Sequence, residues 1–202
     1  MESKNLDTLA EAVLVKVFVP LEASGRHVHI TKEQALTLFG HGLTPERPLS
    51  QPGQYLCKER VNVLGPKGEF KNVAVLGPER KEAQVEISLT DGKTLGLQPP
   101  VKLSGDVKGS PGCRLVGPAG AVELRQGVIA AQRHIHLTPG DGKRFGVQDK
   151  QVVKLQTFTD RPVVFEEVMV RISPDFAAAA HLDYDEANAC GFRKGDLGRI
   201  VP

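Results

Sequence analysis

The chain has 202 residues, of which 25% are charged and 40% hydrophobic, and its formal net charge is +2. This balance is typical of a soluble globular protein and excludes a strongly basic nucleic-acid-binding surface. No apolar run approaches the roughly 20 residues of a membrane-spanning helix, and the N-terminus lacks the pattern of a secretory signal. Cys57, Cys113 and Cys190 show no CxxC spacing, which predicts free thiols in a reducing, cytoplasmic environment.

The first predicted element is a helix over residues 5–17. Apolar side chains fall near one helical stripe in this segment, at Leu6, Leu9, Val13 and Val17. A helix packed on its own domain is the favoured interpretation, because amphipathic helices are common. A docking peptide for a partner shell or assembly is the alternative.

The rest of the chain predicts mainly β structure. Its 21 glycines and 14 prolines divide it into short runs rich in Val and Ile, many of them alternating. Gly-Pro pairs at 65–66, 77–78 and 117–118 each follow such a run and predict turns that end strands. We expect β-barrels capped by short helices.

One pattern occurs twice, about a hundred residues apart. Residues 24–31 read SGRHVHIT and residues 132–138 read QRHIHLT. In each copy a threonine follows that can cap a short helix, Thr31 or Thr138, and a Phe-Gly pair can end that helix. The repeat predicts two related halves.

Each copy carries two histidines at positions i and i+2, which point to the same face of a strand. His27 and His29, and likewise His134 and His136, therefore have the spacing to bind one metal ion per pair. Two copies that together use four of the six histidines favour metal binding over ordinary buried or surface histidines. The arginines that precede the pairs are expected to face the other way and to form structural ion pairs.

Each pair needs further ligands, and two residues are candidates. His181 lies in a polar segment, HLDYDEANA. Glu86 lies on an alternating strand whose one face holds Gln84, Glu86 and Ser88. A His-His-Glu set suits a catalytic zinc with an open position, although a solvated carboxylate is the alternative. His41, at a predicted helix end, is assigned to the surface.

Several segments together resemble the PduL-type phosphotransacylases, also called phosphate propanoyltransferases. The resemblance runs from about residue 20 to the C-terminus and includes ASGRHVHIT, VLGPER, QVEISLTDG, SGD, GSPG, GVIAAQRHIHLTP and HLDYDEANACG. It implies two interleaved β-barrels, one formed by residues 18–25 with 132–202 and the other by residues 26–131. It implies the transfer of a short acyl group, propanoyl or acetyl, between coenzyme A and inorganic phosphate, by direct attack of phosphate at a two-metal site.

The resemblance also implies roles for individual residues. His27, His29 and Glu86 correspond to the ligands of one divalent ion, usually zinc, and His134, His136 and His181 to those of a second. Arg80 corresponds to an arginine that handles phosphate. Polar substrate-binding positions of the family correspond to Ser24, Gln84, Ser104 and Asn188. The chain departs at Ala74 and Lys102, where family members often carry arginine, so that contacts to coenzyme A are expected to differ.

The resemblance further implies a cytoplasmic enzyme, with a bacterial microcompartment, its shell or its lumen proteins as a candidate setting. Homo-oligomerisation and the preferred acyl chain stay open. Two other functions compete. A cupin-like oxygenase fits the HxHxxxE spacing of His27, His29 and Glu33, but leaves the second histidine pair without a role. A non-enzymatic protein in which zinc holds two halves together is the other alternative.

Overall fold

A computed structural model of the chain describes residues 16–201. Fifteen strands and, from Lys32 onward, four short helices lie within these residues, so the predicted mainly β fold is confirmed. The predicted helix over residues 5–17 lies outside the described residues except for its last two positions, which are helical. The helices are α1 (Lys32–Phe39), α2 (Leu89–Leu95), α3 (Pro139–Phe145) and α4 (Tyr184–Ala189).

The chain divides into two compact units that alternate along the sequence. Of the described residues, one unit comprises 16–24, Arg133–Leu182 and 186–201; the other comprises Gly25–Gln132 and Asp183–Asp185. We call the first the barrel unit and the second the sheet unit. Each has its own hydrophobic core.

The barrel unit contains a closed barrel of six strands. Their order around the barrel is β1-β14-β11-β13-β12-β15, and β1 pairs with β15 to close it. The strands are β1 (Val19–Ser24), β11 (His134–Leu137), β12 (Val152–Phe158), β13 (Val164–Ile172), β14 (Ala179–Asp183) and β15 (Leu197–Val201). Ile135, Leu137, Leu155 and Val170 are fully buried in its core, where alternating strand residues meet.

The sheet unit contains nine strands that curl without closing. Their order is β7-β10-β6-β2-β5-β4-β8-β9, with β3 beside β4. The strands are β2 (His27–His29), β3 (Pro45–Pro48), β4 (Tyr55–Leu64), β5 (Glu69–Gly77), β6 (Gln84–Glu86), β7 (Val101–Lys102), β8 (Cys113–Val116), β9 (Ala121–Leu124) and β10 (Val128–Ala131). The predicted Gly-Pro turns end β4, β5 and β8, as expected.

Three of the helices begin in the same way. Thr31, Ser88 and Thr138 cap α1, α2 and α3, and each forms a reciprocal capping box with the residue three positions later, Gln34, Asp91 or Asp141. Each helix ends at a glycine in the left-handed region. The caps at Thr31 and Thr138 were predicted from the sequence. The assignment of Ser88 to a strand face with Gln84 and Glu86 was wrong, because β6 ends at Glu86 and Ser88 turns the chain into α2.

All three cysteines are buried and unpaired. Among residues 16–201, no helix is both long enough and apolar enough to span a bilayer.

Candidate functional site

His27, His29 and Glu86 meet on two short buried strands of the sheet unit. β2 and β6 are antiparallel, and His27 lies directly opposite Glu86. The three side chains are nearly inaccessible to solvent. Their potential ligand atoms lie within 4.8 Å of one another, so that small side-chain movements would bring them to the ~3.3 Å that separates two ligands of one tetrahedral zinc. We call this group the His-His-Glu cluster.

Backbone carbonyls orient both imidazoles of the His-His-Glu cluster. His27 Nδ1 lies 2.8 Å from the carbonyl oxygen of Gly25, and His29 Nδ1 lies 3.2 Å from that of Leu76. Because a carbonyl only accepts, each Nδ1 carries a proton, and in the neutral form of each ring Nε2 is left with a lone pair. His27 Nε2 lies 3.5 Å from Glu86 Oε1. A ring held through one nitrogen so that the other can bind is the usual arrangement of a metal-binding histidine.

A hydrogen-bond network supports the carboxylate of Glu86. Gln84 Nε2 donates to Glu86 Oε1 and to Ser104 Oγ, the latter over 2.9 Å. Ser104 Oγ donates to Glu86 Oε1 over 2.9 Å and accepts from Arg80 Nη1 over 3.2 Å. The backbone N–H of Gly105 donates to Gln84 Oε1 over 2.7 Å. The network joins Arg80 to the candidate metal carboxylate through Ser104.

The protonation states of this cluster suit a cation. Burial would raise the pKa of Glu86, but His27, His29 and the Ser104 hydroxyl together hold it well below its usual range. Burial lowers the pKa of His29 to about 3, and the neighbouring His27 and Arg80 add to that effect. For His27, burial is outweighed by Glu86, so that its pKa is raised. Near neutral pH the cluster therefore contains an ionised carboxylate and a neutral His29, which are ligand forms.

A second cluster lies in the barrel unit, where β11 and β14 are antiparallel and His134 lies opposite His181. The potential ligand atoms of His134, His136 and His181 all lie within 4.8 Å of one another. The rings of His134 and His181 stack with centroids 4.9 Å apart, and His181 Nδ1 lies 3.5 Å from Glu22 Oε2. We call this group the three-histidine cluster.

His136 provides the most direct test of whether the three-histidine cluster fits a metal. Both ring nitrogens of His136 are buried and have no hydrogen-bond partner among the described residues. Such an unpaired buried group costs roughly 1–3 kcal/mol. Burial, with the charges of His134 and His181, lowers the pKa of His136 to about 2. The ring therefore stays neutral near pH 7, and protonation does not remove the cost of its unpaired nitrogens. A cation bound by the cluster would occupy one of these nitrogens, and the donor set therefore fits a divalent metal.

The arginines of the two repeats pair with carboxylates, as predicted. Arg26 forms two hydrogen bonds with Asp91, of 3.0 and 2.7 Å. Arg133 lies 2.7 Å from Glu186. Each guanidinium also lies over a phenylalanine ring, at 4.1 Å for Arg26 and 5.8 Å for Arg133.

The other predicted site residues are placed as follows. Ser24 is the last residue of β1 and Asn188 lies in α4, both in the barrel unit. His41 is largely exposed, in agreement with the surface role assigned to it. Ala74 lies opposite His27 on β5, whereas Lys102 Nζ binds Asp106 and the carbonyl of Lys108.

Sequence reasoning missed two contributors. Phe176 stacks on His136 with centroids 4.0 Å apart, and a phenylalanine outside any repeat gives no sequence signal for this contact. A cavity of about 280 Å³ in the sheet unit is lined by His29, Pro52, Gly53, Gln54, Gly77, Pro78 and Arg80. Residues 52–54 showed only the Pro-Gly signal of a turn.

Comparison with known proteins points to one family. The family model described as phosphate propanoyltransferase matches residues 20–193. The chain is 50% identical over 198 residues to a phosphate propanoyltransferase of Listeria monocytogenes, covering 97% of this chain and 93% of the relative. It is 50% identical over 202 residues to that of Clostridioides difficile, covering 97% of each. It is 51% identical over 181 residues to that of Thermotoga maritima, covering 88% of this chain and 86% of the relative.

Proposed function

Because the chain belongs to the phosphate propanoyltransferase family, an enzyme family of acyl transfer to phosphate, we propose that it moves a propanoyl group between coenzyme A and inorganic phosphate. The products in one direction are propanoyl phosphate and free coenzyme A. The observation that carries the proposal is the pair of buried clusters, each with three ligand atoms drawn together on neighbouring strands. Family membership supplies the reaction class, and these clusters supply candidate chemistry for it.

Each cluster is proposed to bind one divalent ion, with zinc favoured. Nitrogen-rich sets of three protein ligands are typical of catalytic zinc, which keeps its fourth position open. His27, His29 and Glu86 would hold one ion, and His134, His136 and His181 the other. Bound zinc supplies a Lewis acid that polarises a thioester carbonyl and favours a thiolate leaving group.

Arg80 is the proposed phosphate-binding residue. Its guanidinium is planar and permanently charged, and its fork matches two oxygens of a phosphate. The bond to Ser104 Oγ limits the orientations that this side chain takes. Arg80 and His29 line the same cavity, so a phosphate bound there would contact an arginine next to a candidate metal ligand.

The proposed step is a direct transfer. A phosphate oxygen forms a bond to the thioester carbonyl carbon, the carbon–sulfur bond breaks, and coenzyme A leaves as the thiolate. No acyl-cysteine is needed, and the three cysteines are unsuited to forming one. Burial raises the pKa of Cys57 and of Cys113 to about 12 and raises that of Cys190 as well, so that little nucleophilic thiolate is present.

Acetyl is the alternative acyl group. Acetyl and propanoyl differ by one methylene, which an apolar pocket distinguishes by only ~1–3 kcal/mol. Propanoyl is proposed because the similar relatives carry that name, and the ratio of kcat/KM for the two thioesters is the measurement that decides.

The cupin-like alternative receives no support from the site. Glu33 lies on α1 and is exposed, whereas the carboxylate beside His27 and His29 is Glu86. The structural-zinc alternative predicts that metal removal unfolds the chain. The proposed enzyme instead is expected to lose activity while the chain stays folded.

A cytoplasmic setting, within a bacterial microcompartment, is part of the proposal. Three buried unpaired thiols suit a reducing compartment. For residues 5–17, packing on their own domain is the favoured role, and contact with shell or lumen proteins is the alternative. If they pack on the domain, deleting them is expected to lower solubility or activity. If they contact shell proteins, deletion is expected to abolish co-sedimentation with shell assemblies and to leave specific activity unchanged.

The decisive experiment measures thiol release from propanoyl-CoA with and without phosphate, before and after chelation, and after zinc is restored. We expect release that depends on phosphate, disappears on chelation and returns with zinc. A folded, metal-loaded protein that releases no thiol would refute the proposed function.

His27→Ala provides the matching genetic test, with His41→Ala as its control. Losing a metal ligand is expected to cost more than the ~10- to 100-fold loss typical of an outer hydrogen-bond partner. The exposed His41 lies outside both clusters, so its replacement is expected to leave the rate within about twofold. Equal rates for the two variants would exclude His27 from the machinery.

A further inference from the structure

The cavity beside Arg80 has polar chemistry that the proposed mechanism does not yet use. Its volume of about 280 Å³ is large enough for an inorganic phosphate, since one water in the liquid occupies ~30 Å³. Four of its seven lining residues are prolines or glycines, whose side chains offer no hydrogen-bonding group. The side-chain chemistry of the cavity therefore comes from His29, Gln54 and Arg80.

These three side chains differ in what they can still bind. Arg80 has donors only. His29 Nδ1 is committed to the carbonyl of Leu76, and its other nitrogen is assigned to a metal. The amide of Gln54 forms no hydrogen bond to any residue of the described range 16–201, in contrast to Gln84, whose amide binds Glu86, Ser104 and Gly105.

The backbone fixes the position of Gln54. The N–H of Leu49 donates to the carbonyl of Gln54 over 3.0 Å, and the N–H of Gln54 donates to that of Gln51 over 3.2 Å. Gly53 has φ +76, a conformation that glycine adopts without strain. The turn therefore places Gln54 immediately before β4, with both its backbone groups hydrogen-bonded and its side-chain amide available.

We propose that Gln54 is a substrate-binding residue that recognises the proton of inorganic phosphate in this cavity. Its Oε1 accepts the hydrogen of the P–OH group, while Arg80 donates to unprotonated oxygens. The inference rests on the proposed function, because it assigns this cavity to the phosphate of that reaction.

The assignment follows from what each partner can offer. Inorganic phosphate keeps at least one proton near neutral pH, whereas sulfate keeps none. An arginine cannot accept a hydrogen bond, so a site made of arginine alone leaves the P–OH group without a partner. The Gln54 amide offers an acceptor, Oε1, and a donor, Nε2. Phosphate can pair its P–OH group with Oε1, whereas sulfate, which has no proton, can use only Nε2. Gln54 thus gives a protonated oxyanion a pairing that sulfate cannot form, and this difference favours phosphate.

The test compares phosphate and sulfate in wild-type protein, Gln54→Leu and the control Gln98→Leu, a replacement of an exposed glutamine outside the cavity. The KM for phosphate and the inhibition constant of potassium sulfate against phosphate are measured at fixed propanoyl-CoA. Gln54→Leu is expected to raise the KM for phosphate about tenfold, the value of one good hydrogen bond, and to weaken sulfate inhibition by a smaller factor. Arg80→Gln is expected to weaken both anions together. Gln54→Met, closer in shape, replaces the leucine variant if that variant fails to fold.

Thermal unfolding provides a second readout that does not depend on acyl transfer. Millimolar phosphate is expected to raise the Tm of wild-type and Gln98→Leu protein more than sulfate does, and the two anions are expected to act equally on Gln54→Leu. Sulfate and phosphate both stabilise folded proteins generally. Comparing the Tm shifts of Gln54→Leu with those of Gln98→Leu subtracts this general effect.

The outcomes separate the two proposals. An unchanged KM for phosphate in Gln54→Leu, or equal losses for phosphate and sulfate, would overturn the role of Gln54. If wild-type protein released no thiol and yet showed Gln54-dependent stabilisation by phosphate, the proposed acyl transfer would be refuted and the proposed anion site would be supported. Loss of both readouts would remove both proposals.

Discussion

At the scale of single residues, the hydrogen-bond capacity of Ser104 defines what it can do. A serine hydroxyl donates one hydrogen bond and accepts two. Ser104 Oγ donates to Glu86 and accepts from Gln84 and Arg80, so its capacity is already full. The resemblance assigned Ser104 and Gln84 to substrate binding, whereas these contacts favour a positioning role for Ser104 between the phosphate arginine and a candidate metal carboxylate.

Replacing Ser104 with alanine is therefore expected to weaken two functions together. Glu86 loses a hydrogen bond and Arg80 loses an anchor, so zinc affinity is expected to fall about 10- to 100-fold while the KM for phosphate rises. Zinc affinity is measured by competition with a chromophoric chelator, and the KM by the thiol assay. Ser104→Thr, which retains the hydroxyl, is expected to restore both.

Ser110→Ala is the control for this prediction. Ser110 is also buried in the sheet unit, but its hydroxyl binds only the backbone, at Val107 and Gly127. Its loss is expected to lower stability without changing zinc affinity. A Ser104→Ala protein that binds zinc as tightly as Ser110→Ala would contradict the positioning role.

At the scale of elements, short strands that carry candidate ligands lead directly into capped helices. β2 leads into α1, β6 into α2 and β11 into α3, each through a capping box. The sequence predicted the first and third of these helices because threonine stands at the cap, followed by Gln34 in one and Pro139 in the other. It missed α2 because Asp91 replaces the usual Glu or Gln of the capping box, and because alternation through Ser88 suggested a longer strand.

Asp91 connects two elements of the sheet unit, which makes it the most sensitive of these capping positions. Its carboxylate accepts from the backbone of Ser88 and binds Arg26, the residue before His27, through two hydrogen bonds. Asp91→Ala is expected to cost about 2 kcal/mol, because it removes one half of the capping box and the ion pair with the partly exposed Arg26. Thr31→Ala removes a cap alone and is expected to cost about 1 kcal/mol.

Urea unfolding followed by far-UV circular dichroism compares the two variants through their midpoints. Asp91→Asn serves as the matched variant, since it keeps the shape and an acceptor but removes the charge that pairs with Arg26. Its cost is expected to lie between the other two. Equal midpoints for Asp91→Ala and Thr31→Ala would show that the Arg26 contact adds nothing to stability.

At the scale of the whole molecule, the repeated histidine pattern was visible in the sequence and the strand pairing was not. The RHxH repeat gave both histidine pairs, and Glu86 and His181 were candidates from their surroundings. The barrel closes through Val19 and Gly198, residues far apart in the chain, whose pairing leaves no trace in local periodicity. The unpaired nitrogens of His136 and the cavity beside Gln54 arise from three-dimensional packing and had no sequence signal.

The buried thiols report on each unit and distinguish a catalytic from a structural role for the metals. Cys57 and Cys113 lie in the core of the sheet unit and Cys190 in that of the barrel unit. A cysteine thiol ionises near pH 8.5 when unfolded, but burial raises the pKa of Cys57 and Cys113 to about 12. Since the thiolate is the reactive form, we expect the native protein to be nearly inert to a disulfide reagent at pH 8 and to react at three thiols in denaturant.

After chelation, the proposed enzyme is expected to lose activity while the thiols stay protected, with mass spectrometry identifying any labelled cysteine. Labelling that rises in step with the loss of activity would instead show that the metals hold the fold together, and labelling confined to Cys190 would locate that dependence in the barrel unit.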